Sequence, residues 1–481
     1  MRVSRGVIAD LYVEDGRGVV MVGESVLVLT EVATAIVEAV PDASTLTVAE
    51  VAASVVEVFG EPDAPHTAEG LTLQHVHDLV AHGVLEIVEG SRDGTASLLD
   101  QRTRRDAVEA VRSALRHVLS GGTDRWSLPP SVESDAFVKA AHQHHVVAFL
   151  ALHLDRLTLP PRARSVLLAD AAHLQAGARI LATDLARALE VLDAAGVRAL
   201  AFKGVALAVQ AHGDLTARGA GDLDLLVAPA DLERAHAALT RAGWSPAPEY
   251  PVPGPSWAWR HFVRTHNELT LESATSSIDL HWHLAPTRST FPPFDDLWLR
   301  RDLVEVAGRA VPTLSPYDAL AHSAGHAARD RWRWLRSLVD VHLLASRSDV
   351  WSEANRPLRS DQLLTLGVAV RMLGDLPGAP AVVVRAVSES SDVWKQALAD
   401  QLSTEVDHRA LATPGQQFTR NLRTLARTRG TPTEAARLLS RSALPPWLTS
   451  QETSPHALVA APKVLARRLA ELEQKARARL R

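Results

Sequence analysis

Two aspartates separated by one residue, Asp222 and Asp224, lie in a short apolar run of this chain. Alternate side chains of an extended strand lie on one face, so the spacing predicts that both carboxylates point into the same pocket. Like charges at this separation repel each other unless a cation lies between them, and carboxylate oxygens are ligands that Mg²⁺ or Mn²⁺ prefers. We therefore interpret the pair as a site for Mg²⁺ or Mn²⁺.

A third acid, Asp279, lies further along in a second apolar alternation. There Asp279, His281 and His283 are predicted to share one face of a strand. Three carboxylates that hold two cations can activate an attacking hydroxyl and neutralise the charge on a transferring phosphoryl group. An Asp-x-Asp pair alone is equally typical of a turn cap or a solvated strand edge, so the prediction depends on the combination.

A strand, a turn and a helix are predicted just before these acids. Residues 198–202 form the predicted strand, Lys203 and Gly204 the turn, and Val205 begins the helix. A glycine at such a turn lets backbone N–H groups and the helix N-terminus face an anion, here the triphosphate of a nucleotide.

The order of glycine turn, Asp-x-Asp and later acid resembles the DNA polymerase β-type nucleotidyltransferase superfamily. The Phe-Lys-Gly opening, Arg218 before the acids and Asp-Leu-His-Trp around Asp279 resemble its bacterial nucleotidyltransferase family proteins, over about residues 105–400. The resemblance implies a nucleoside triphosphate (NTP) as co-substrate, with Lys203 and Gly204 at the triphosphate and Asp279 as base. The implied catalytic and metal-binding residues are Asp222, Asp224 and Asp279, and the cofactor-binding residues are Lys203, Gly204, Arg218, His281 and Arg336.

The turn departs from the superfamily pattern in one residue. Gly204 is followed by Val205, whereas the commoner turn is Gly-Ser or Gly-Gly. Because the hydroxyl that usually touches phosphate is missing, the resemblance implies metal binding more firmly than NTP use.

Composition limits the class of protein. The chain has 481 residues, which is too long for one ordinary hydrophobic core. Its composition, 46% hydrophobic and 22% charged, is typical of a globular protein. A formal net charge of -5 gives no general attraction to nucleic acid, so a polynucleotide partner is not expected. The absence of cysteine excludes disulfides, thiolate catalysis and Cys-based metal sites. No run of eighteen apolar residues occurs, and we expect a soluble, cytoplasmic protein with no membrane partner.

The first 92 residues have a different pattern. We expect a hairpin from strands 7–12 and 18–22 with its turn at 14–16, then a helix over 25–40. A capping box of Thr47 and Glu50 opens a second helix that extends to Phe59, and a third helix over 73–82 leads into a strand at 84–88. This order predicts a winged-helix-like unit.

The phrases Thr-Leu-Thr-Val-Ala-Glu-Val at 45–51 and His-Gly-Val-Leu-Glu at 82–86 resemble PqqD-like domains of ribosomally made peptide (RiPP) biosynthesis. The resemblance implies that residues 1–92 bind the leader of a precursor peptide as an additional strand. A DNA-binding winged helix and a simple packing domain are the alternatives. The predicted third helix carries no Arg or Lys over residues 73–80, which argues against DNA.

The expected fold class is a helix-rich α+β protein. A winged-helix-like peptide-binding domain precedes a small mixed-sheet nucleotidyltransferase core that helical domains flank. The predicted boundaries are 1–92 for the peptide-recognition domain, 98–196 for a helical region, 197–305 for the core, 306–400 for a helical domain and 401–481 for a C-terminal helical extension, with a polar linker over 91–97.

Two histidine groups require interpretation. His142, His144 and His145 have no carboxylate close in sequence, which favours a surface or partly buried set over a metal site. His322 and His326 lie four residues apart on one face of a predicted helix, but Ser323 stands where a zinc protease has Glu. We expect His326 or Arg336 to contact the nucleotide or acceptor, and simple helix packing is an equally consistent interpretation. The basic tail from Pro462 predicts a docking helix.

These observations lead to one main hypothesis and two alternatives. The main hypothesis is a metal-dependent nucleotidyltransferase of RiPP biosynthesis, whose first domain captures a leader peptide and whose core modifies that peptide. In the first alternative the same core acts on the hydroxyl of a small molecule. In the second the chain is a catalytically inactive peptide-binding scaffold.

Overall fold

A computed structural model defines the architecture. The residues it describes are 2–6, 8, 10–14, 17–22, 25–41, 45–62, 67–81, 83–87, 94–122, 124–248, 250–352, 356–376, 379–402, 431–450, 452–457, 459–464 and 466–467. The chain divides into two compact units, Met1–Gln101 and Arg102–Arg481. Within the described residues, no helix is both long and apolar enough to span a bilayer.

The first unit contains short strands and helices. Its strands are β1 (Arg2–Arg5), β2 (Asp10–Glu14), β3 (Arg17–Val22), β4 (Ser25–Val28), β5 (Thr45–Thr47) and β6 (Leu85–Ile87), and its helices are Glu31–Ala39, Val48–Phe59 and Ala68–Ala81. Strands β2, β3 and β4 form an antiparallel sheet in that order, and β1 lies between β5 and β6 in a second sheet. The predicted capping box is confirmed, since the Thr47 hydroxyl accepts from the Glu50 N–H and the Glu50 carboxylate from the Thr47 N–H.

Several predicted boundaries in this unit were wrong. The helix expected over 25–40 begins only at Glu31, where the Thr30 side chain accepts from the Ala33 N–H, and Ser25–Val28 is a strand. The third helix begins at Ala68 rather than at residue 73. Residues 94–97 of the expected linker belong to the helix Gly94–Leu119. Residues 7, 9, 15, 16, 82, 88 and 91–93, on which parts of those predictions fell, lie outside the described residues.

A mixed seven-stranded sheet is the centre of the second unit. After the short parallel pair β7 (Trp126–Ser127) and β8 (Leu157–Thr158) come β9 (Ala199–Phe202), β10 (Leu223–Val227), β11 (Ser245–Pro246), β12 (Glu268–Glu272), β13 (Ser277–His281), β14 (Asp302–Val306) and β15 (Arg309–Thr313). The order in the large sheet is β11-β12-β13-β10-β9-β15-β14. Strand β10 runs parallel to β13 and antiparallel to β9.

Helices surround this sheet. From residue 94 onward they are Gly94–Leu119, Ser134–Gln143, Val147–Leu152, Pro161–Ala194, Gly204–Leu207, Leu232–Arg241, Trp257–Thr265, Phe294–Leu299, Pro316–Arg329, Leu335–Ala345, Ser348–Ser352, Ser360–Leu373, Ala381–Glu389, Ser391–Leu402, Pro432–Ala443 and Pro446–Thr449. The predominance of helix together with mixed sheets confirms the α+β class.

Alternation along β10 separates two hydrophobic cores. Leu223, Leu225 and Val227 pack in the core that includes the helix Leu232–Arg241, whereas Leu226 packs in the core that includes the helix Pro316–Arg329. Burial of each leucine stabilises the fold by roughly 1.5–3 kcal/mol. A shift of the strand by one residue would exchange the side chains of its two faces and lose this burial in both cores. Asp224 shares the face of Leu226 and is thereby directed toward the side of Pro316–Arg329.

The helical segment after the sheet is interrupted. Pro316–Arg329 and Leu335–Ala345 are separate helices, because Arg331 and Trp332 adopt positive φ values of 58° and 55°. Trp332 is buried and Trp334 is half-buried.

The predicted C-terminal extension is described only in part. Residues 403–430, 451, 458, 465 and 468–481 lie outside the described residues. Of the part that is described, Ala460 and Val464 pack against Trp257 and Ala258.

Candidate active site

Asp224 lies at the centre of a buried polar cluster on the sheet. The parallel register of β10 and β13 places it beside Asp279, and Asp224 is 3% exposed. Lys203 Nζ donates to Asp224 Oδ1 at 2.7 Å, and His281 Nε2 lies 3.1 Å from the same oxygen. One carboxylate oxygen therefore contacts two cationic or hydrogen-bonding partners.

Strand β12 supports the neighbouring acid. Thr270 is the cross-strand partner of Asp279, and its hydroxyl donates to Asp279 Oδ1 at 2.7 Å. Glu268 Oε2 lies 3.1 Å from His281 Nδ1. The Thr270 hydrogen bond orients the Asp279 carboxylate, and the Glu268 carboxylate lies beside the His281 ring without a hydrogen bond to Nδ1.

Among the described residues, Asp224, Asp279 and His281 form a group suited to a metal ion. One ligand atom from each lies within 4.8 Å of the others. Two carboxylates and one imidazole fit a divalent cation, and the imidazole favours Mn²⁺ over Mg²⁺. Asp222, which sequence spacing grouped with Asp224, immediately precedes β10 and lines the adjacent cavity, outside that group of three.

The acids differ in their electrostatic environment. Burial opposes ionisation of Asp224, but Lys203 and His281 outweigh it and hold the pKa of Asp224 well below its usual range. Burial, and next the charge of Asp224, raises the pKa of Asp222. Burial likewise raises the pKa of Asp279, against the Thr270 hydrogen bond. Asp222 and Asp279 therefore ionise less readily than Asp224, and a cation beside them would lower their pKa values.

The turn after β9 has a restricted backbone. Lys203 has φ 57° and ψ −155°, and Gly204 has φ 41°. A Cβ at Gly204 would lie 3.1 Å from the Asp222 carbonyl oxygen, so only glycine fits without a shift. The unusual Lys203 conformation costs about 1–3 kcal/mol and directs a 24% exposed side chain toward Asp224.

A cavity of about 520 Å³ adjoins the carboxylate cluster. Lys203, Arg218 and Arg336 supply positive charge to its wall. Arg218 Nε donates to Asp340 Oδ2 at 2.9 Å, while His212 Nε2 lies 2.8 Å from the other oxygen of Asp340.

Arg336 differs from the other two cations. Its Nε is buried and has no hydrogen-bond partner within the described part of the chain. Burial, and next the charge of Arg218, lowers the pKa of Arg336 to about 10. An incompletely paired guanidinium suits an anionic ligand, although Asp222, Asp224, Asp330 and Asp340 line the same cavity and offset the charge of the three cations.

Two rings lie on another part of the same cavity wall. His145 and Trp334 meet edge to face with centroids 5.0 Å apart. Of the other histidines near His145, His142 lines the cavity and lies 2.6 Å from Asp170, whereas His144 is fully buried outside it.

Backbone strain accumulates around this cavity. Of the five described non-glycine residues with positive φ, His145 and Lys203 line it, and Arg331 and Trp332 lie in the segment between its lining residues Asp330 and Trp334. Such strain is typical of functional sites.

The helix Pro316–Arg329 contributes His322 and His326 to the wall. Burial, and next the charge of Lys203, lowers the pKa of His322, and burial lowers that of His326. His326 Nδ1 lies 3.2 Å from Asp330. Both rings are thus neutral at neutral pH and are placed at the cavity rather than solely between helices.

Sequence reasoning misplaced one residue and missed others. The strand ends at His281, so His283 does not share the face of Asp279, and it lines a separate small cavity. Glu268 and Thr270 belong to a polar-apolar alternation, Glu-Leu-Thr-Leu-Glu, that signals a strand beside β13. His212 and Asp340 carry no such signal, because their contact joins positions 128 residues apart.

Residues 130–369 match the model of a family described as uncharacterised nucleotidyltransferase. Comparison with curated proteins found no match, and comparison with solved structures found none. The matched range contains all the residues of the cluster and of the cavity wall named above. Nucleotidyl transfer is therefore the class of reaction that the family match supports.

Proposed function

Since residues 130–369 match the model of an uncharacterised nucleotidyltransferase family, we propose that this protein transfers a nucleotidyl group from an NTP to an acceptor. The observation that carries the proposal is the pairing of Asp224 with Asp279 beside a cavity that Lys203, Arg218 and Arg336 line. The carboxylates suit a divalent cation, and the three cationic side chains suit a triphosphate.

Each part of the site has a role in this reaction. Asp222, Asp224, Asp279 and His281 would hold Mg²⁺ or Mn²⁺, which supplies charge neutralisation at the transferring phosphoryl group. Lys203, Arg218 and Arg336 bind the triphosphate, with Gly204 allowing its close approach. The ring of Trp334 offers the nucleobase a stacking surface.

The transfer step forms one bond and breaks one. An acceptor hydroxyl attacks the α-phosphorus, an O–P bond forms, and the bond from the α-phosphorus to the oxygen that bridges it to the β-phosphorus breaks. Pyrophosphate leaves with that bridging oxygen. Asp279 accepts the hydroxyl proton, a role that its raised pKa favours.

Of the two kinds of acceptor, we favour a precursor peptide that carries a leader. Residues 1–92 would act as a PqqD-like, winged-helix-like domain that binds the leader as an additional strand in RiPP biosynthesis. In support, β4 pairs only with β3 among the described strands, and its other edge is where we place the leader. A leader held there raises the local concentration of the acceptor to the millimolar range. We place this reaction in the cytoplasm, where NTPs are supplied.

Nucleotide binding tests the proposal independently of the acceptor. Calorimetric titration with Mg²⁺ or Mn²⁺ and non-hydrolysable analogues of ATP, GTP, CTP and UTP should give saturable binding of at least one analogue. Binding should weaken about tenfold in Arg336→Met. The proposal fails if no analogue binds at millimolar concentration.

A further inference from the structure

A second cavity, of about 260 Å³, shares a wall with the first. His322, His326 and Asp330 line both cavities. The second cavity is also lined by Glu268, which contacts His281, and His281 in turn contacts Asp224. Both cavities therefore adjoin the same carboxylate cluster, the first through Asp224 itself and the second through Glu268.

One face of the helix Pro316–Arg329 contributes side chains to the walls of both cavities. His322, His326 and Arg329 are spaced four and three residues apart on the helix Pro316–Arg329, so they lie on one face. His322 is 4% exposed, its ring packs against Phe202 with centroids 5.1 Å apart, and its Nε2 has no partner among described residues. A buried ring nitrogen without a partner on this shared wall is available to a ligand.

The acids of the second cavity already have partners. Asp361 Oδ2 accepts from Arg359 Nη2 at 2.7 Å, and Glu268 Oε2 accepts from Asn267 Nδ2 at 2.7 Å. Asp330 lies 3.2 Å from His326. Most acidic oxygens here are thus unavailable, but Asp361 Oδ1 is buried with no hydrogen-bond partner in the described chain.

Two of the three arginines that line this cavity, Arg329 and Arg441, are less fully paired than Arg359. The Arg329 guanidinium makes no hydrogen bond or ion pair to any residue that the structure describes, and its charge acts on Glu268 of the same cavity only at longer range. Arg441 makes one, from Nη1 to Asn267 Oδ1 at 3.2 Å. A partly buried guanidinium without an acceptor favours a carboxylate or phosphate ligand, which it can bind through two N–H groups.

We propose that this second cavity is the acceptor subsite, and that Arg329 holds a carboxylate or phosphate of the acceptor while Asp361 Oδ1 accepts a hydrogen bond from an acceptor hydroxyl other than the attacking one. The inference rests on the proposed function, because an acceptor has meaning only where a nucleotidyl group is transferred. The cavity is smaller than the roughly 300–1,000 Å³ of pockets for drug-sized ligands. It therefore suits a small hydroxylated anion, free or as one residue of a larger acceptor.

The test uses three probes on the full chain: glycerol 3-phosphate, glycerate and glycerol. Each is titrated calorimetrically with Mg²⁺ and a saturating NTP analogue, so that the first cavity is filled. We expect glycerol 3-phosphate or glycerate to bind at least tenfold more tightly than glycerol. Which of the two binds more tightly identifies phosphate or carboxylate as the recognised group.

Matched variants assign the binding to this cavity. Arg329→Gln should weaken binding of the preferred anion about tenfold or more, and Arg385→Gln, which removes an exposed cation outside both cavities, should leave it unchanged. Equal affinity for glycerol and both anions, no binding of either anion at millimolar concentration, or equal affinity in Arg329→Gln overturns the inference. The affinity for the NTP analogue is measured separately. If the analogue binds and the anions do not, the acceptor subsite is wrong but the proposed function is not.

Discussion

Asp224 and Asp279 occupy the same register position on the parallel strands β10 and β13. Neighbouring strands lie about 4.8 Å apart, so this pairing is what brings acids from distant parts of the chain to one site. Lys203 occupies one oxygen of the pair through its 2.7 Å hydrogen bond to Asp224. A cation that binds Asp224 Oδ1 must therefore share this oxygen with Lys203 or displace Lys203 from it.

Replacing Lys203 should shift two affinities in opposite directions. Lys203→Met removes a positive charge that competes with a metal ion for Asp224, so we expect Mn²⁺ alone to bind about tenfold more tightly. The same change removes a triphosphate contact, so an NTP analogue with Mg²⁺ should bind about tenfold more weakly. Calorimetry measures both, with exposed Lys139→Met as the control. Parallel shifts in both affinities would contradict this role of Lys203.

Asp340 should stabilise the fold in a pH-dependent way. Burial opposes its ionisation, but Arg218 and His212 hold the pKa of Asp340 well below its usual range. A depressed folded pKa gives stability that is complete above the unfolded value of about 3.9 and is lost as pH falls through the folded pKa.

Asp340→Asn, which leaves Arg218 buried without its partner, should therefore lower the free energy of unfolding by about 3 kcal/mol at pH 7 and by less below pH 4. Urea unfolding of the wild type and the variant, at pH 7 and below pH 4, measures the difference in the free energy of unfolding. The exposed pair of Asp135 with Arg162 provides the control, since Asp135→Asn should cost below about 1 kcal/mol. A loss that is the same at both pH values would show that Asp340 does not act through its charge.

Trp334 should contribute to nucleotide affinity through stacking. Trp334→Ala is expected to weaken binding of the preferred NTP analogue about tenfold or more, because stacking of a base on an aromatic ring contributes about 1–3 kcal/mol. Trp334→Phe keeps an aromatic face and should retain most of the affinity. If alanine and phenylalanine weaken binding equally, the ring does not stack on the base.

Removal of residues 1–92 separates the two kinds of acceptor. If the first domain binds the leader, the shortened chain should keep its analogue affinity and lose the stimulation of pyrophosphate release by a leader-bearing peptide. An enzyme for a small-molecule hydroxyl should keep its acceptor affinity after the deletion. Thermal unfolding of the shortened chain confirms that it is folded, and unchanged peptide stimulation in a folded chain would contradict leader capture.

Local periodicity predicted part of this structure. The alternation around Asp224 and Asp279 predicted two strands and the faces of their acids, and the Thr47 and Glu50 spacing predicted a helix start. The apolar run Val26-Leu27-Val28 is compatible with a strand or a helix on sequence alone. It forms a strand because it pairs with β3. No glycine or proline marked the break at Arg331 and Trp332.

Contacts between distant positions were not predictable in this way. The ion pair of Arg218 with Asp340 joins positions 122 residues apart, and only the folded sheet and the helix Leu335–Ala345 bring them together. Arg218 and Arg336 were proposed as nucleotide-binding residues from resemblance, and their shared cavity depends on that tertiary packing.

The most direct test of nucleotidyl transfer is pyrophosphate release. Wild-type protein is incubated with Mg²⁺ or Mn²⁺ and each NTP, with and without a leader-bearing peptide or a hydroxylated anion. Asp222→Asn and Asp279→Asn are compared with Asp231→Asn, which alters an acid outside the cluster and both cavities. We predict metal-dependent release that falls at least a hundredfold in the two cluster variants and is unchanged in the third. No release under any condition, or equal release in all three variants, would contradict nucleotidyl transfer at this site.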